Sequence, residues 1–363
     1  MSNKLPINMQ LRIQIYNNNI FKNLESILYN DDRKVAHWFM ENLPWEIYEQ
    51  LSPQYEIQVQ SAMQIRKTLG PNAIKNIKWF YFGTEQCEYL MPTLAEVKKA
   101  IQIMKDFDKK YVTKDIKQFV MVTPYYGHTK IKDRILEVLT YLNQNASRIN
   151  PKTKIVEVVI NDWGTWQLIK KNNLNNLKPI LGRLLVKTLK NPLVDTFGLE
   201  KNVHIPWEMM KNKSPQQIQD LKKQIANNQR KGFGRSALNN QYFIRFLDKK
   251  WIKRAGIDYQ QDYPTLYQVQ DLPIDIYYPY ALIFVWRLCD TSSLENVRRW
   301  YYAIDEICPR TCLKYDLNIQ NFDTVWYKIL QRGNAQYKSQ INLNIPQDTI
   351  EKYENRLIYA PLI

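Results

Sequence analysis

The four cysteines are the side chains of this sequence best equipped for chemistry. Cys87 stands alone in GTEQCEYL, at the expected end of a strand, and Cys289 closes the run YYPYALIFVWRLC. Cys308 and Cys312 follow in ICPRTC, so the late three read C-x18-C-x3-C. Thiolates at a strand end and a close C-x3-C pair can converge on one point, where four sulfurs hold either an iron-sulfur cluster or a tetrahedral zinc. The competing reading of any single cysteine is a small buried apolar side chain.

Other candidates carry two readings each. Asn161 and Asp162 close IVEVVIND, where a carboxylate at a strand mouth orients a substrate hydroxyl or acts as a base. Asp162 equally suits the N-cap of a helix beginning near Thr165. His128, with Tyr125 and Tyr126 in TPYYGH, is a loop histidine with no evident partner, and such a histidine is more often structural. The three histidines, His37, His128 and His204, leave no HExxH zinc helix. A Walker loop, a GxGxxG after a strand and a GxSxG elbow are absent too, and GFGRS at Gly232 to Ser236 is assigned no phosphate role.

Positioning these groups requires strands that end together. The runs Ile77 to Phe82, Phe119 to Val122 and Ile155 to Ile160 are each followed by an amphipathic stretch: Leu94 to Phe107, Lys130 to Leu142 and Thr165 to Lys171. A fourth run spans Pro179 to Leu185. Strand, loop and helix in repetition predict an α/β fold, a (β/α) TIM-like barrel over residues 76–363 with chemistry at the C-terminal strand ends. Those ends are Gly83 to Cys87, Thr123 to His128, Asn161 to Gly164 and the Tyr277 to Cys289 segment. Residues 1–75 read as a helical extension, from Phe21 to Tyr29, His37 to Tyr48 and Tyr55 to Leu69, closed by Gly70-Pro71. A polar, basic helical insertion occupies 190–235, with Ser214 to Gln229 a helix.

Composition narrows the partners. The chain of 363 residues is 45% apolar and 24% charged, enough to bury a core. Its longest apolar run, Tyr277 to Trp286, is too short to span a bilayer, and the start of the chain lacks the apolar core of a secretory signal. Four cysteines at this length are no disulfide scaffold, and ligating thiols favour a reducing compartment, the cytoplasm or an organelle matrix. The net charge is +16, and Lys201 to Gly256 alone carry thirteen Lys and Arg against three acids. That stretch is a candidate contact for RNA or another polyanion; the plainer readings are a solvated helical face and an AT-rich coding bias.

Several segments in order resemble a known family: WFYFGTEQCEYLMP, VTPYYG, IVEVVINDWGTWQLIK, PILGRLL, IYYPYALIFVWRLCDTSS with ICPRTC, and GNAQY with ENRLIYAPLI. Together they are similar to the collagenase-like peptidase family U thirty-two, over most of 76–363 and outside the basic insertion. The resemblance implies a barrel whose Cys87, Cys289, Cys308 and Cys312 ligate a 4Fe-4S cluster, with zinc at the same thiols as the alternative. It implies support of oxygen-independent hydroxylation, of a ubiquinone precursor or of an RNA base, in some members with prephenate as oxygen source. Peptidase activity is not expected, since no protease machinery is recognisable. Asn161, Asp162, Arg183 and Arg287 are the residues expected at the mouth, the arginines as bidentate partners of a dianionic donor. An acidic position expected after the fifth strand is not singled out by Gly256 to Asp262. The implied partner is a paralogous subunit in a heterodimer. The competing class is a non-catalytic structural or RNA-binding subunit of a large assembly.

Overall fold

The computed structural model describes residues 11–15, 57, 60–65, 67–68, 77–110, 117–186, 188, 203, 205–260, 266, 268–269, 272–286, 289, 291, 308, 310–313, 317–319, 329–345, 349 and 352–360. The centre is a curled parallel sheet of β2 (Ile77–Gly83), β3 (Gln118–Val122), β4 (Val156–Ile160), β5 (Leu177–Leu181), β6 (Ala255–Asp258), β7 (Ile274–Tyr278) and β12 (Arg356–Tyr359). A further strand, β1 (Leu11–Ile15), pairs in parallel with both β12 and β2, the two edges of the curl. This corrects the expectation of a purely helical extension over 1–75. LRIQI alternates apolar and polar residues, a period-2 pattern that suits a strand. Residues 60–65 are helical, whereas the helices expected over 21–29 and 37–48 lie outside the described residues.

Period-2 alternation divides the side chains between two faces. Tyr81, Val120, Val122, Val159, Ile180, Tyr277 and Ile358 form one buried cluster on the concave face. Phe80, Phe82, Met121, Val158, Ile160, Ile276, Tyr278 and Tyr359 join the larger core under the helices. Helix α1 (Leu94–Lys110) buries Val97, Ala100, Ile101, Met104 and Phe107, an i, i+3, i+4 stripe. It opens on a capping box in which the Thr93 N–H donates to Glu96 at 2.7 Å and the Glu96 N–H returns to Thr93 Oγ1 at 3.3 Å. Helix α2 (Thr129–Gln144) buries Ile131, Ile135, Val138, Leu139 and Leu142, and α3 (Trp163–Lys171) buries Trp166, Leu168 and Ile169.

A helix therefore follows each of β2, β3 and β4, but the alternation changes after β5. The connection to β6 carries α4 (Pro215–Phe233) and α5 (Gln241–Lys249), so the insertion expected over 190–235 continues through α5. Val203, Ile205 and Ala226 form a small apolar cluster of its own. After β7 comes a second sheet, antiparallel, in the order β8 (Tyr280–Val285), β11 (Ala335–Ser339), β10 (Ile329–Arg332), β9 (Leu317–Ile319). The run from Tyr277 to Val285 thus belongs to two sheets, with Pro279 between them supplying no N–H to a ladder. The architecture is mixed α/β, a curled parallel sheet flanked by helices. No helix among the described residues is long and apolar enough to cross a membrane.

Candidate functional site at the strand ends

Gly182 and Arg183 turn the chain inward where β5 ends. A β-carbon on Gly182 would stand 2.1 Å from Asn161 Oδ1, so only glycine lets the two strand ends approach this closely. Asn161 Nδ2 donates to the Thr123 carbonyl at 2.8 Å, while its Oδ1 accepts from the Leu184 N–H at 3.4 Å. It ties the ends of β3, β4 and β5 together. Arg183 follows, buried, its Nε on Glu85 at 2.5 Å and its Nη1 on Asp258 at 2.5 Å and on the Tyr280 carbonyl at 3.0 Å. The guanidinium lies over the Tyr277 ring, 4.5 Å from its centroid. Asp258 Oδ1 also accepts from the Leu282 N–H at 3.0 Å, so one carboxylate couples the parallel sheet to the second sheet. Burial, and then the charge of Glu85, pushes the Tyr277 hydroxyl well above the ordinary tyrosine range.

Asp162 is the N-cap of α3: its Oδ1 accepts from the Thr165 N–H at 2.8 Å and its Oδ2 from the Thr165 hydroxyl at 2.9 Å. Burial raises its carboxyl above the ordinary range, against the lowering effect of the Thr165 bonds. His128 caps α2, its Nδ1 accepting from the Lys130 N–H at 3.1 Å. Arg287 lies outside the described residues.

The cysteines gather beside this network. All four are free thiols; Cys87, Cys289 and Cys312 are buried and Cys308 is partly so. Burial raises the Cys87 thiol well above its ordinary value, and the neighbouring Cys312, Cys289 and Cys308 raise it further. A β-carbon on Gly333 would sit 3.5 Å from the Cys312 sulfur and 4.0 Å from that of Cys289. Gly333, with φ +62°, and Asn334 form the two-residue turn between β10 and β11, where a positive φ favours glycine. Asn334 Nδ2 donates to the carbonyls of Gln86 at 2.8 Å and Trp286 at 2.9 Å, fixing the backbone just before Cys87 and Cys289. Cys308 Sγ accepts from the Arg310 N–H at 3.4 Å, and Arg310 pairs with Glu96 of α1 at 2.8 Å.

Among the described residues no three His, Cys, Asp or Glu groups are arranged to hold a single metal ion. A tetrahedral zinc draws sulfurs to about 2.3 Å from one centre, whereas a four-iron cluster accepts thiolates spread around a larger body. The donor set is four thiols from three segments, the Cys289 and Cys312 sulfurs beside the Gly333 turn, a set of the type that iron-sulfur clusters use. Beside Arg183 opens a cavity of about 650 Å³ lined by Arg183, Leu184, Val186, Arg235, Leu282 and Phe284, among others.

Compared with family models, curated proteins and solved structures, the chain matches none. The site is accordingly read from its own geometry. The structure brings Asn161, Arg183 and the cysteines to one end of the sheet and gives Asp162 to a helix terminus. Sequence reading missed Glu85, Asp258 and Tyr277. Glu85 and Cys87 share the GTEQC strand end, which was a signal; Asp258 closes the fifth strand counted from Ile77, inside Gly256 to Asp262, where an acidic position was expected but not singled out.

Proposed function

We propose that Cys87, Cys289, Cys308 and Cys312 hold a 4Fe-4S cluster, and that the chain supports oxygen-independent hydroxylation of an RNA base or a quinone precursor. What supports the cluster is that the Cys289 and Cys312 sulfurs flank the Gly333 turn, and that these and Cys308 lie near enough to Cys87, past the C-terminal end of β2, to raise its thiol. Such a cluster supplies one-electron chemistry when bound. The reaction class rests on the family resemblance, with the cavity at Arg183 and Arg235 as the place for an organic substrate.

Arg183 plays a different part from the anion clamp expected of it. Its donors are directed at Glu85 and Asp258, so it ties the ends of β2, β5 and β6 together beside the cavity. Among the cavity residues the exposed Arg235 is left to meet a carboxylate. The turn at Gly182 after β5 and the Asn334 bracket tie these ends together, which a site needs if the cavity is to hold one substrate orientation.

The direct test is anaerobic purification followed by iron and zinc analysis, an optical spectrum and EPR, on wild type and Cys308→Ala. About four irons per chain with broad absorbance near 400 nm, lost in the variant, is the expected result. One zinc per chain moves the assignment to a single-ion site. Folded, colourless, metal-free protein supports a retained structural subunit instead, a reading favoured by the neutralisation of Arg183 inside its own network.

A further inference from the structure

Helix α5 shows solvent an uncommon face. Residues at helical spacings of three and four share one side, and here Tyr242, Arg245, Phe246 and Lys249 do so, all exposed. Tyr242 is 70% exposed and Phe246 39%. The opposite side supplies Leu247, which is buried, and Phe243 and Ile244, which are half-buried. The helix already has an inward apolar face, and on its outward side Phe246 keeps one edge against Trp163 while the Tyr242 ring fills no part of the core.

The end of the helix continues the stripe. Trp251 N–H donates to Asp248 O at 2.9 Å and Ile252 N–H to Leu247 O at 3.0 Å, the paired bonds of a Schellman ending with Trp251 at the position glycine prefers. Its φ is +60°, a left-handed conformation that side chains rarely adopt. The ring gains no packing in return, because Trp251 is 80% exposed. Leu247 and Ile252, both buried, make the apolar closure that such an ending uses. A strained tryptophan held in solvent lacks a folding explanation.

Cations alternate with the rings. Arg245, Lys249, Lys250 and Lys253 lie among Tyr242, Phe246 and Trp251, and the single acid of this stretch, Asp248, is bonded to Lys253. The face adjoins the strand mouth: Phe246 packs edge-to-face on Trp163 with centroids 5.2 Å apart, and Trp163 directly follows Asp162. Lys250 sits over the Trp166 ring at 4.2 Å, and Trp166 Nε1 donates to the Lys250 carbonyl at 3.2 Å, which locks α5 to α3.

We infer that the α5 face from Tyr242 to Lys253 binds a single-stranded polynucleotide, its rings stacking on bases and its cations on the intervening phosphates. Rings interleaved with cations are what unpaired bases on a charged backbone require, and base stacking tolerates any sequence. A helix that lies in a lipid surface sets a broad apolar face apart from its basic face, whereas here the apolar face with Leu247 and Ile252 is turned inward and the exposed rings are interleaved with cations. The assignment deepens the hydroxylation reading toward its nucleic-acid branch but stands on surface residues alone, independent of the cysteines.

The test is fluorescence anisotropy of the full-length protein with a labelled 12-nucleotide single-stranded RNA, the matching DNA and the RNA duplex, across a salt series. Single strands are expected to bind more tightly than the duplex, with the affinity falling by a log–log slope of about −3 for four phosphate contacts. Trp251→Gly relieves the backbone and keeps the fold, and it should weaken single-strand binding about tenfold with the slope unchanged. Arg245→Gln with Lys249→Gln should lessen the slope by about 1.4. A difference between the RNA and DNA arms reports a contact to the 2′-hydroxyl; equal binding assigns the face to bases and phosphates alone. Equal binding of duplex and heparin with no loss in Trp251→Gly overturns the proposal in favour of a plain polyanion surface. Ring-dependent binding to anionic vesicles without oligonucleotide binding overturns it in favour of a membrane face. Iron content measured on the same variants separates the two proposals: Cys308→Ala loses iron and keeps binding, while Trp251→Gly does the reverse.

Discussion

Two arginines are set among carboxylates at opposite ends of the same sheet, and they are held by different means. Arg356 opens β12, with its Nη1 and Nη2 on Glu157 at 2.6 and 3.0 Å and its Nε near Asp275 at 3.7 Å. Its partners lie inside strands, in fixed register, since Arg356 stands opposite Asp275 in the β12–β7 ladder. Arg183 lies past the end of β5, and Glu85 past the end of β2. Strand positions therefore set one network, through the β12–β7 ladder to Asp275 and across the sheet's concave side to Glu157 of β4, while the other depends on loops, the Gly182 turn and the second sheet. In parallel βα folds the N-terminal strand ends serve stability and the C-terminal ends serve chemistry. The two arginines separate along that line.

Removing a charge from either end sharpens the contrast. Arg183→Met leaves Glu85 and Asp258 buried around an apolar side chain and is expected to cost about 3–5 kcal/mol of stability, read by urea denaturation. Adding Glu85→Gln and Asp258→Asn should recover part of that loss. If the single variant is within about 1 kcal/mol of wild type, the network is not what holds the three strand ends. Arg356→Gln is expected to cost less, about 2 kcal/mol, because its side chain keeps some contact with water (11% exposed) and Arg254 remains 3.2 Å from Asp275. Its metal content should equal that of wild type. Iron loss on Arg356→Gln would erase the division between a structural end and a functional end.

The smallest effect concerns Asp162. Its folded-state pKa is raised by burial, so the proton is bound more tightly in the folded than in the unfolded chain. The stability linked to that proton is fully present below the unfolded pKa and is lost as pH rises through the folded one. Asp162→Asn keeps an equally good N-cap and removes the titration. Its melting temperature relative to wild type should rise by a degree or two, about, between pH 4 and pH 7. A variant that instead becomes less stable toward neutrality shows that the carboxylate's attraction to the start of α3 outweighs its burial.

The central elements were legible because they repeat a simple pattern. Ile77 to Phe82, Phe119 to Val122 and Ile155 to Ile160 are short apolar runs before amphipathic stretches, and the strands β2, β3 and β4 fall on them within a residue or so. The helix expected from Ser214 to Gln229 is found at Pro215–Phe233. The second sheet was not legible, because its strands lie in one continuous apolar run with β7 or in short polar pieces such as AQYKS. Strand β1 was hidden in a stretch dominated by helical spacings.

Local sequence by itself determined the capping of α3 by Asp162, the turn at Gly333 and the alternation that divides each strand between core faces, since each depends on neighbours within a few residues. It also placed the cysteines and the basic stretch in order along the chain. Only the tertiary structure decided that Glu85 and Asp258 meet Arg183, that Asn334 brackets the backbone before Cys87 and Cys289, and that Tyr242 and Trp251 stay in solvent. Those contacts join residues as far as 248 positions apart, and such a separation leaves no periodic trace in sequence. They exist because the curl of the sheet carries distant strand ends together, where burial favours pairing of charged and amide groups with one another.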